Sequence, residues 1–227
     1  MYQYLLFDAD NTLLDFDLAE KEALRGVLEK SPMGYSDAIA QLYHEINDRE
    51  WKRLERGETT RERLRTERFV KLYETLGYSL NPDHAEAVSD AFLQHMSEQS
   101  ALIDGALETV VQLSRRYALY IVTNATAWVQ KKRMSRAPIA PYFKKVYISH
   151  EMGCAKPERI FFDQVLSDIG DWHRESYLVI GDSLSSDIAG ARGADLDSCY
   201  FDRSGRGSGA EKPKWTIHSL PELLTIL

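Results

Sequence analysis

Only two cysteines, Cys154 and Cys199, occur in the chain, so neither a disulfide framework nor a cysteine-held zinc is expected. The six histidines, His44, His84, His95, His150, His173 and His218, form no HxH or HExxH pair, which sets aside a histidine-held transition metal. Any metal bound here is expected to be hard and held by oxygen. Positive charge is in deficit as well. With 28 Lys and Arg against 35 Asp and Glu the formal charge is -7, whereas a nucleic-acid polymer is normally met by a net basic face. No apolar run approaches the roughly 18 residues that span a bilayer, so no membrane partner is expected. Met1 to Phe7 has no basic n-region and its apolar stretch stops at Asp8, so no secretory signal is read and the expected location is the cytoplasm.

What is present is ordinary globular material, 44% hydrophobic and 28% charged over 227 residues, enough for one large domain or two modest ones. Tyr4 to Phe7 reads as a buried strand. From about residue 16 to 100 the pattern is helical, clearest at Ile39, Leu42, Tyr43, Ile46 and at Val88, Ala91, Phe92, Met96, with Asn81-Pro82 as a cap and first-turn proline. From Ala106 on, helices alternate with short strands at Tyr117–Val122, Val146–Ile148, Tyr177–Ile180 and Ser198–Phe201. The helices between them are read at 127–136, 160–169 and 187–194, and Ser219 with Glu222 forms a capping-box signal for a last helix. Such alternation predicts an α/β fold, a Rossmann-like parallel sheet with helices on both faces, and an all-helical insert after the first strand. The expected division is 1–15 with 101–227 as one domain and 16–100 as the other.

In an open parallel sheet ligands gather at the carboxyl ends of the strands. Here those ends carry Asp8, Asp10 and Thr12; Thr123 and Asn124; Lys156-Pro157, opening a helix after the third strand; and Gly181-Asp182-Ser183 with Asp187 close behind. Taken singly, each has a structural explanation, such as a turn or a helix cap. Together, at four different strand ends, they point to one site.

These stretches resemble the four motifs of the haloacid dehalogenase-like hydrolase superfamily. The first, DxDx(T/V), matches Asp8-Ala9-Asp10-Asn11-Thr12; the second matches Thr123; the third matches Lys156-Pro157; and the fourth, GDSxxxD, matches Gly181 to Asp187. All four occur in order, and the helical insert resembles the cap called C1 in that superfamily. The resemblance implies that Asp8 attacks a phosphoryl group to give an aspartyl-phosphate, that Asp10 is the general acid and base, and that Lys156 and Thr123 are catalytic. Thr123, Asn124 and Lys156 would hold the phosphate. Mg2+ would be held by the Asp8 carboxylate, the Asp10 backbone carbonyl and Asp182, with Asp187 as a further carboxylate. The need for a cation is physical: two like unit charges at ~4 Å cost about 4 kcal/mol even at an effective dielectric near 20.

An acid at position 10 argues for phosphoryl chemistry rather than dehalogenation, since a departing halide needs no proton. The stretches FDADNTLLDF, VTNA, AKPERIFF, VIGDSLSSDI and KWTIHSLPEL resemble house-cleaning pyrimidine 5′-nucleotidases, which implies a small-molecule phosphomonoester substrate of the nucleoside 5′-monophosphate type. A sugar-phosphate phosphatase or a phosphomutase is the alternative within the superfamily. A phosphoacceptor signalling module also gathers Asp, Thr and Lys around Mg2+, but its motif order differs and it has no helical insert. Nine Lys or Arg against five Glu between Arg49 and Lys71 read as a solvated mixed-charge helix face, or as a basic rim for an anionic substrate. Phe16, Trp51, Arg53 and Arg56 are candidates for contacts to a base and sugar. Gly205 to Gly209 is expected to be a mobile surface loop, and Asp195, standing where glycine is usual after the fourth motif, is expected to keep the left-handed turn.

Overall fold

The first strand, β1 (Tyr4–Phe7), has Leu5, Leu6 and Phe7 fully buried. A strand with no polar face belongs in the middle of a sheet covered on both sides. A computed structural model describes residues 1–29, 31–205 and 207–227 and places it there. After β1 come four helices, α1 (Phe16–Leu28), α2 (Asp37–Glu55), α3 (Arg61–Thr75) and α4 (Pro82–Glu98). Then follow α5 (Ala106–Leu113), β2 (Ala118–Thr123), α6 (Ala127–Arg136), β3 (Phe143–Ile148), α7 (Ser149–Met152), α8 (Arg159–Ile169), β4 (Tyr177–Gly181), α9 (Ala189–Gly193), β5 (Asp197–Phe201), β6 (Trp215–Ile217) and α10 (Leu223–Ile226). The sheet order is β3-β2-β1-β4-β5-β6, and every pairing is parallel.

Side chains alternate across this sheet with period two, as a pleated strand requires. Leu5, Phe7, Ile121, Leu178 and Ile180 face one layer, built on α5, α6 and α10 through Val110, Leu113, Met134 and Leu223. Leu6, Val122, Tyr177 and Val179 face the other, built on α8 and α9 through Phe161, Phe162, Val165 and Ala191. Each such buried Leu, Val or Phe contributes about 1.5–3 kcal/mol relative to exposure. The α/β architecture read from the sequence is therefore the one observed. The chain travels outward from β1 to β2 and β3, then returns to β4 on the opposite side of β1, so the switch in strand order falls beside Asp8.

Three elements depart from expectation. β3 starts at Phe143, not Val146, because this edge strand carries the exposed Lys144 and Lys145, charges that hide a strand from an apolar reading. β6 is three residues long at the far edge, too short to show a pattern. The helix expected over 187–194 begins instead as a π turn, Leu184–Ile188, in which the Ile188 N–H donates to the Ser183 carbonyl at 3.2 Å. Asp195 holds a left-handed φ of 56° as expected, and its carboxylate accepts from Arg159 Nη1 at 2.7 Å. Arg206 in the glycine-rich segment lies outside the described residues, while the neighbouring Gly207 N–H donates to Asp202 Oδ2 at 2.7 Å. Both cysteines are free, and burial pushes the Cys199 thiol up to about 12.

The chain divides into two compact units, Met1–Phe16 with Ser100–Leu227, and Asp17–Gln99. Within the first, the outgoing and returning segments are tied together: the Asp15 N–H donates to the Ala101 carbonyl and the Ile103 N–H to the Leu13 carbonyl, both at 2.9 Å. The second is all helical. Its helices α2, α3 and α4 start on Ser36, Thr60 and Asn81, whose side chains accept from Ile39, Arg63 and His84 N–H groups. Tyr43, Phe69 and Phe92 form its centre, with ring centroids 5.2 to 5.4 Å apart. A buried polar chain adjoins them: Arg68 Nη1 donates to Asn47 Oδ1 at 3.0 Å, Asn47 Nδ2 to Glu20 Oε1 at 2.6 Å, and His44 Nδ1 lies 2.7 Å from Glu20 Oε2. The charges between Arg49 and Lys71 largely satisfy one another. Glu50 accepts from Lys71 at 2.5 Å and Arg53 at 2.8 Å, Glu58 from Arg56 at 2.5 Å, and Glu67 from Arg63 at 2.9 Å. Arg61 lies over the Trp51 ring at 5.9 Å. The mixed-charge face, not a free basic rim, describes this stretch.

The hydrogen bond to Glu20 holds the His44 imidazole up at about 9 against an ordinary 6.5, with partial burial opposing. A pKa raised by folding stabilises fully below the unfolded value and is lost as pH rises through the folded one. The stability difference between the parent and His44→Ala, followed by thermal denaturation, should therefore shrink across that interval; a difference independent of pH would contradict the charged pair.

Candidate active site

Asp8 follows β1 directly, its N–H donating to the Ile180 carbonyl of β4 at 2.8 Å, so the sheet itself fixes its backbone. Its side chain meets Lys156, which is buried to 1% exposure. Lys156 Nζ donates to Asp8 Oδ1 at 2.6 Å, Asp187 Oδ1 at 2.6 Å and the Val122 carbonyl at 2.7 Å. Three acceptors match the three protons of an ammonium.

The segment that delivers Lys156 is anchored by Asn124 at the end of β2. Asn124 Nδ2 donates to the Lys156 carbonyl at 2.8 Å and Asn124 Oδ1 accepts from the Lys156 N–H at 3.1 Å. A side chain expected to touch phosphate is thus engaged with the neighbouring loop. The α9 helix backs this loop at Gly190, where an added Cβ would lie 3.0 Å from Pro157 Cα and 2.8 Å from Phe162.

Asp187 stands in the π turn, and its other oxygen, Oδ2, accepts from the Ser183 N–H at 3.1 Å. Gly181 at the end of β4 makes this possible, since a Cβ there would fall 2.2 Å from Asp187 Oδ2. Asp182, next along, accepts from Thr12 Oγ1 at 2.8 Å through Oδ1. The threonine of the first motif therefore orients an aspartate of the fourth. Asp8, Asp182 and Asp187 each offer a carboxylate oxygen within 4.8 Å of the others. Asp10 is not in this trio: its Oδ1 accepts from Nη1 of Arg133, a wholly buried residue on α6. Thr123, also buried, closes β2.

Electrostatics here are governed by burial. Loss of water raises the Asp8 carboxyl well above its ordinary range; the Lys156 ammonium opposes this, and the charges of Asp187 and Asp182 reinforce it. Burial, with the Asp187 charge, lifts Asp182 to about 7, against the hydrogen bond from Thr12. Burial would lower Lys156, but Asp187 and Asp8 outweigh it and hold the ammonium above the ordinary lysine range. Three carboxylates facing one ammonium leave the group two charges negative when all are ionised. A doubly charged, oxygen-seeking ion is the partner such a set fits.

The haloacid dehalogenase-like hydrolase family matches residues 2–195 of this chain. The chain belongs to that family. It is a hydrolase. The chain is 35% identical over its whole length to the Bacillus subtilis protein YfnB, named as a HAD-hydrolase, of which it covers 95%. A solved structure of YfnB bound to magnesium superposes with a TM-score of 0.93, covering 100% of this chain and 98% of the other at 33% identity. The chain is also 30% identical, again over its full length, to two proteins named pyrimidine 5′-nucleotidase, PynA of Streptococcus pneumoniae and YjjG of Escherichia coli, covering 95% and 98% of them.

A motif reading names Thr12 without its partner and misses Arg133 altogether. Thr12 is quoted within the first motif, yet its partner is distant in sequence. Arg133 hides in the run Lys131-Lys132-Arg133, which reads as a surface charge cluster. Its signal is helical phase: Val129, Gln130, Arg133 and Met134 share the buried face of α6.

Gly181→Ala should force Asp187 off Lys156 and cost about 1–3 kcal/mol as an overpacked site. Thermal denaturation checks this; a variant as stable as the parent would contradict the close approach.

Proposed function

We propose that this hydrolase is a Mg2+-dependent phosphomonoesterase acting through an aspartyl-phosphate on Asp8, with nucleoside 5′-monophosphates as substrates. The observation that carries the reading is Lys156 bridging Asp8 and Asp187 beside Asp182, which aims a carboxylate at a buried place that calls for further positive charge. Asp8, Asp182 and Asp187, with the backbone carbonyl of Asp10, would hold the ion. When bound it supplies the charge neutralisation that lets a phosphate dianion approach a carboxylate.

The chain's own groups perform the chemistry. An Asp8 oxygen forms a bond to phosphorus as the bond from phosphorus to the ester oxygen breaks, and the Asp10 carboxyl gives its proton to the departing alkoxide. Water then attacks the aspartyl-phosphate, its proton passes to Asp10, and the bond between Asp8 and phosphorus breaks to release inorganic phosphate. Thr123 and the N–H groups that open α6 support the reading by lying at the strand end and helix start where phosphoryl oxygens are met. Because all three Lys156 protons are engaged, Lys156 acts on the phosphate as a charge more than as a hydrogen-bond donor. The unit Met1–Phe16 with Ser100–Leu227 is read as the catalytic core and Asp17–Gln99 as the cap that selects the leaving group. The nucleotide preference is supported by full-length similarity to the two relatives named pyrimidine 5′-nucleotidase.

The test is a panel of nucleoside monophosphates and sugar phosphates assayed for phosphate release with Mg2+, with EDTA, and with Asp8→Asn. Highest kcat/KM on nucleoside monophosphates, loss in EDTA with recovery on added Mg2+, and loss of at least a thousandfold in Asp8→Asn are expected. Best activity on hexose phosphates would overturn the substrate class, and Asp8→Asn activity within tenfold of the parent would overturn the nucleophile.

A further inference from the structure

Arg133 is one of the largest fully buried side chains in the protein, and a buried guanidinium is retained where it meets a charge it can pair with. Its Nη1 donates to Asp10 Oδ1 and lies 3.2 Å from Gln130 Oε1, one turn back on α6. Gln130 is itself buried, so this donor is steered by a neighbour that cannot swing into water. The Asp10 side chain remains about a quarter exposed, at 24%, while Arg133 is at 1%. One end of the contact is thus rigid protein and the other opens outward.

From this geometry we infer that Arg133 is a positioning residue for the reaction: it clamps Oδ1 of Asp10 so that Oδ2 is the oxygen presented to the ester and to the attacking water. The inference rests on the reading of Asp10 as acid and base under Proposed function. A carboxylate on an unrestrained side chain rotates about its two torsions and offers either oxygen in several directions. A donor fixed on one oxygen removes that freedom, and the pre-arranged geometry lowers the barrier of the step that uses the other oxygen. Arg133 touches neither nucleophile nor phosphoryl group in this account, so it adds nothing to the attack by Asp8. Its effect falls on proton transfer to the leaving group in the first half-reaction and from water in the second.

That division gives the test. p-Nitrophenolate leaves without a proton, whereas the alkoxide of a nucleoside monophosphate needs one. The ratio kcat/KM covers steps through phosphoenzyme formation and so isolates the first half-reaction. Arg133→Met should lower kcat/KM for a nucleoside monophosphate by about 100-fold or more, the scale of a lost general acid, and that for p-nitrophenyl phosphate by less than about tenfold. KM should stay near the parent value for the nucleoside monophosphate, whereas for p-nitrophenyl phosphate the slowed hydrolysis of the phosphoenzyme should lower kcat and KM together; circular dichroism and thermal denaturation establish that the variant is folded. Arg133→Lys, which keeps a donor of shorter reach, should show the same selectivity with a smaller loss, and it decides the matter if the methionine variant does not fold. Equal losses on both esters, or no loss on either, overturn the positioning role and mark Arg133 as structural. The two readings fail separately: if Asp10→Asn loses no more on a nucleoside monophosphate than on p-nitrophenyl phosphate the acid-base reading falls, whereas a selective loss in Asp10→Asn with equal losses in the Arg133 variants sinks the positioning role alone.

Discussion

The ammonium of Lys156, buried and shared among Asp8, Asp187 and the Val122 carbonyl, is the contact on which the rest of the site depends. It joins three strand ends at one atom: β1 through Asp8, β2 through Val122 and the turn after β4 through Asp187. Removing one partner of such a buried pair leaves an uncompensated charge, typically at a cost of about 3–5 kcal/mol. That cost explains the surrounding restraints. Asn124 pins the lysine backbone from both sides, Gly181 leaves space for Asp187, and Ser183 holds the second oxygen of Asp187. A chain that invests this much in one lysine cannot place it by side-chain flexibility alone.

Most of this was legible in the residue order because the physics is local. An apolar run that ends abruptly in acids marks a buried strand delivering its last residues to an edge, and Tyr4 to Asp8 and Tyr177 to Asp182 do this in plain view. Long helices with apolar residues three and four apart were equally readable. What stayed hidden depends on partners remote in sequence. Thr12 and Asp182 meet only after the sheet has formed, and Arg133 reaches Asp10 only because α6 turns that face inward. β6 is too short for periodicity, and β3 carries its lysines outward at an edge. The π turn at Leu184–Ile188 follows from Ser183, whose carbonyl accepts from both Asp187 and Ile188 at 3.0 and 3.2 Å, a detail no hydrophobic pattern records.

The helical unit shows the same split between legible and hidden. Tyr43 and Phe92 of its aromatic centre follow from spacing, but the adjoining chain Glu20, Asn47 and Arg68 places a carboxylate, an amide and a guanidinium in the interior. Arg68 also lies 4.9 Å from the Phe92 ring centroid, so its charge is met by an aromatic face as well as by the amide. Buried polar groups are tolerated when satisfied, and each of these three donates to or accepts from the next. In the stretch rich in Lys and Arg the same logic places Glu50 inside with Arg53 and Lys71 paired to it at the rim.

Set side by side, Lys156 and Arg133 explain how two aspartates separated by one residue can differ. Asp8 shares a compact ammonium with Asp187, deep in a group that stays negative, and burial raises its carboxyl although the lysine opposes this. Asp10 faces a planar guanidinium on α6 and keeps contact with solvent. An ammonium is a point charge that several acceptors can share, which suits the nucleophilic role proposed for Asp8. A guanidinium is a rigid fork whose N–H directions fix the group it meets, which suits the proton-exchanging role proposed for Asp10. The alternation of a strand would send residues two apart to the same side, yet Asp10 lies beyond the strand, in the tight loop in which the Leu13 and Leu14 N–H groups both donate to the Ala9 carbonyl, at 2.9 and 2.8 Å. That loop, together with the left-handed φ of 59° at Asn11, is what sends one carboxylate to the lysine and the other to the arginine.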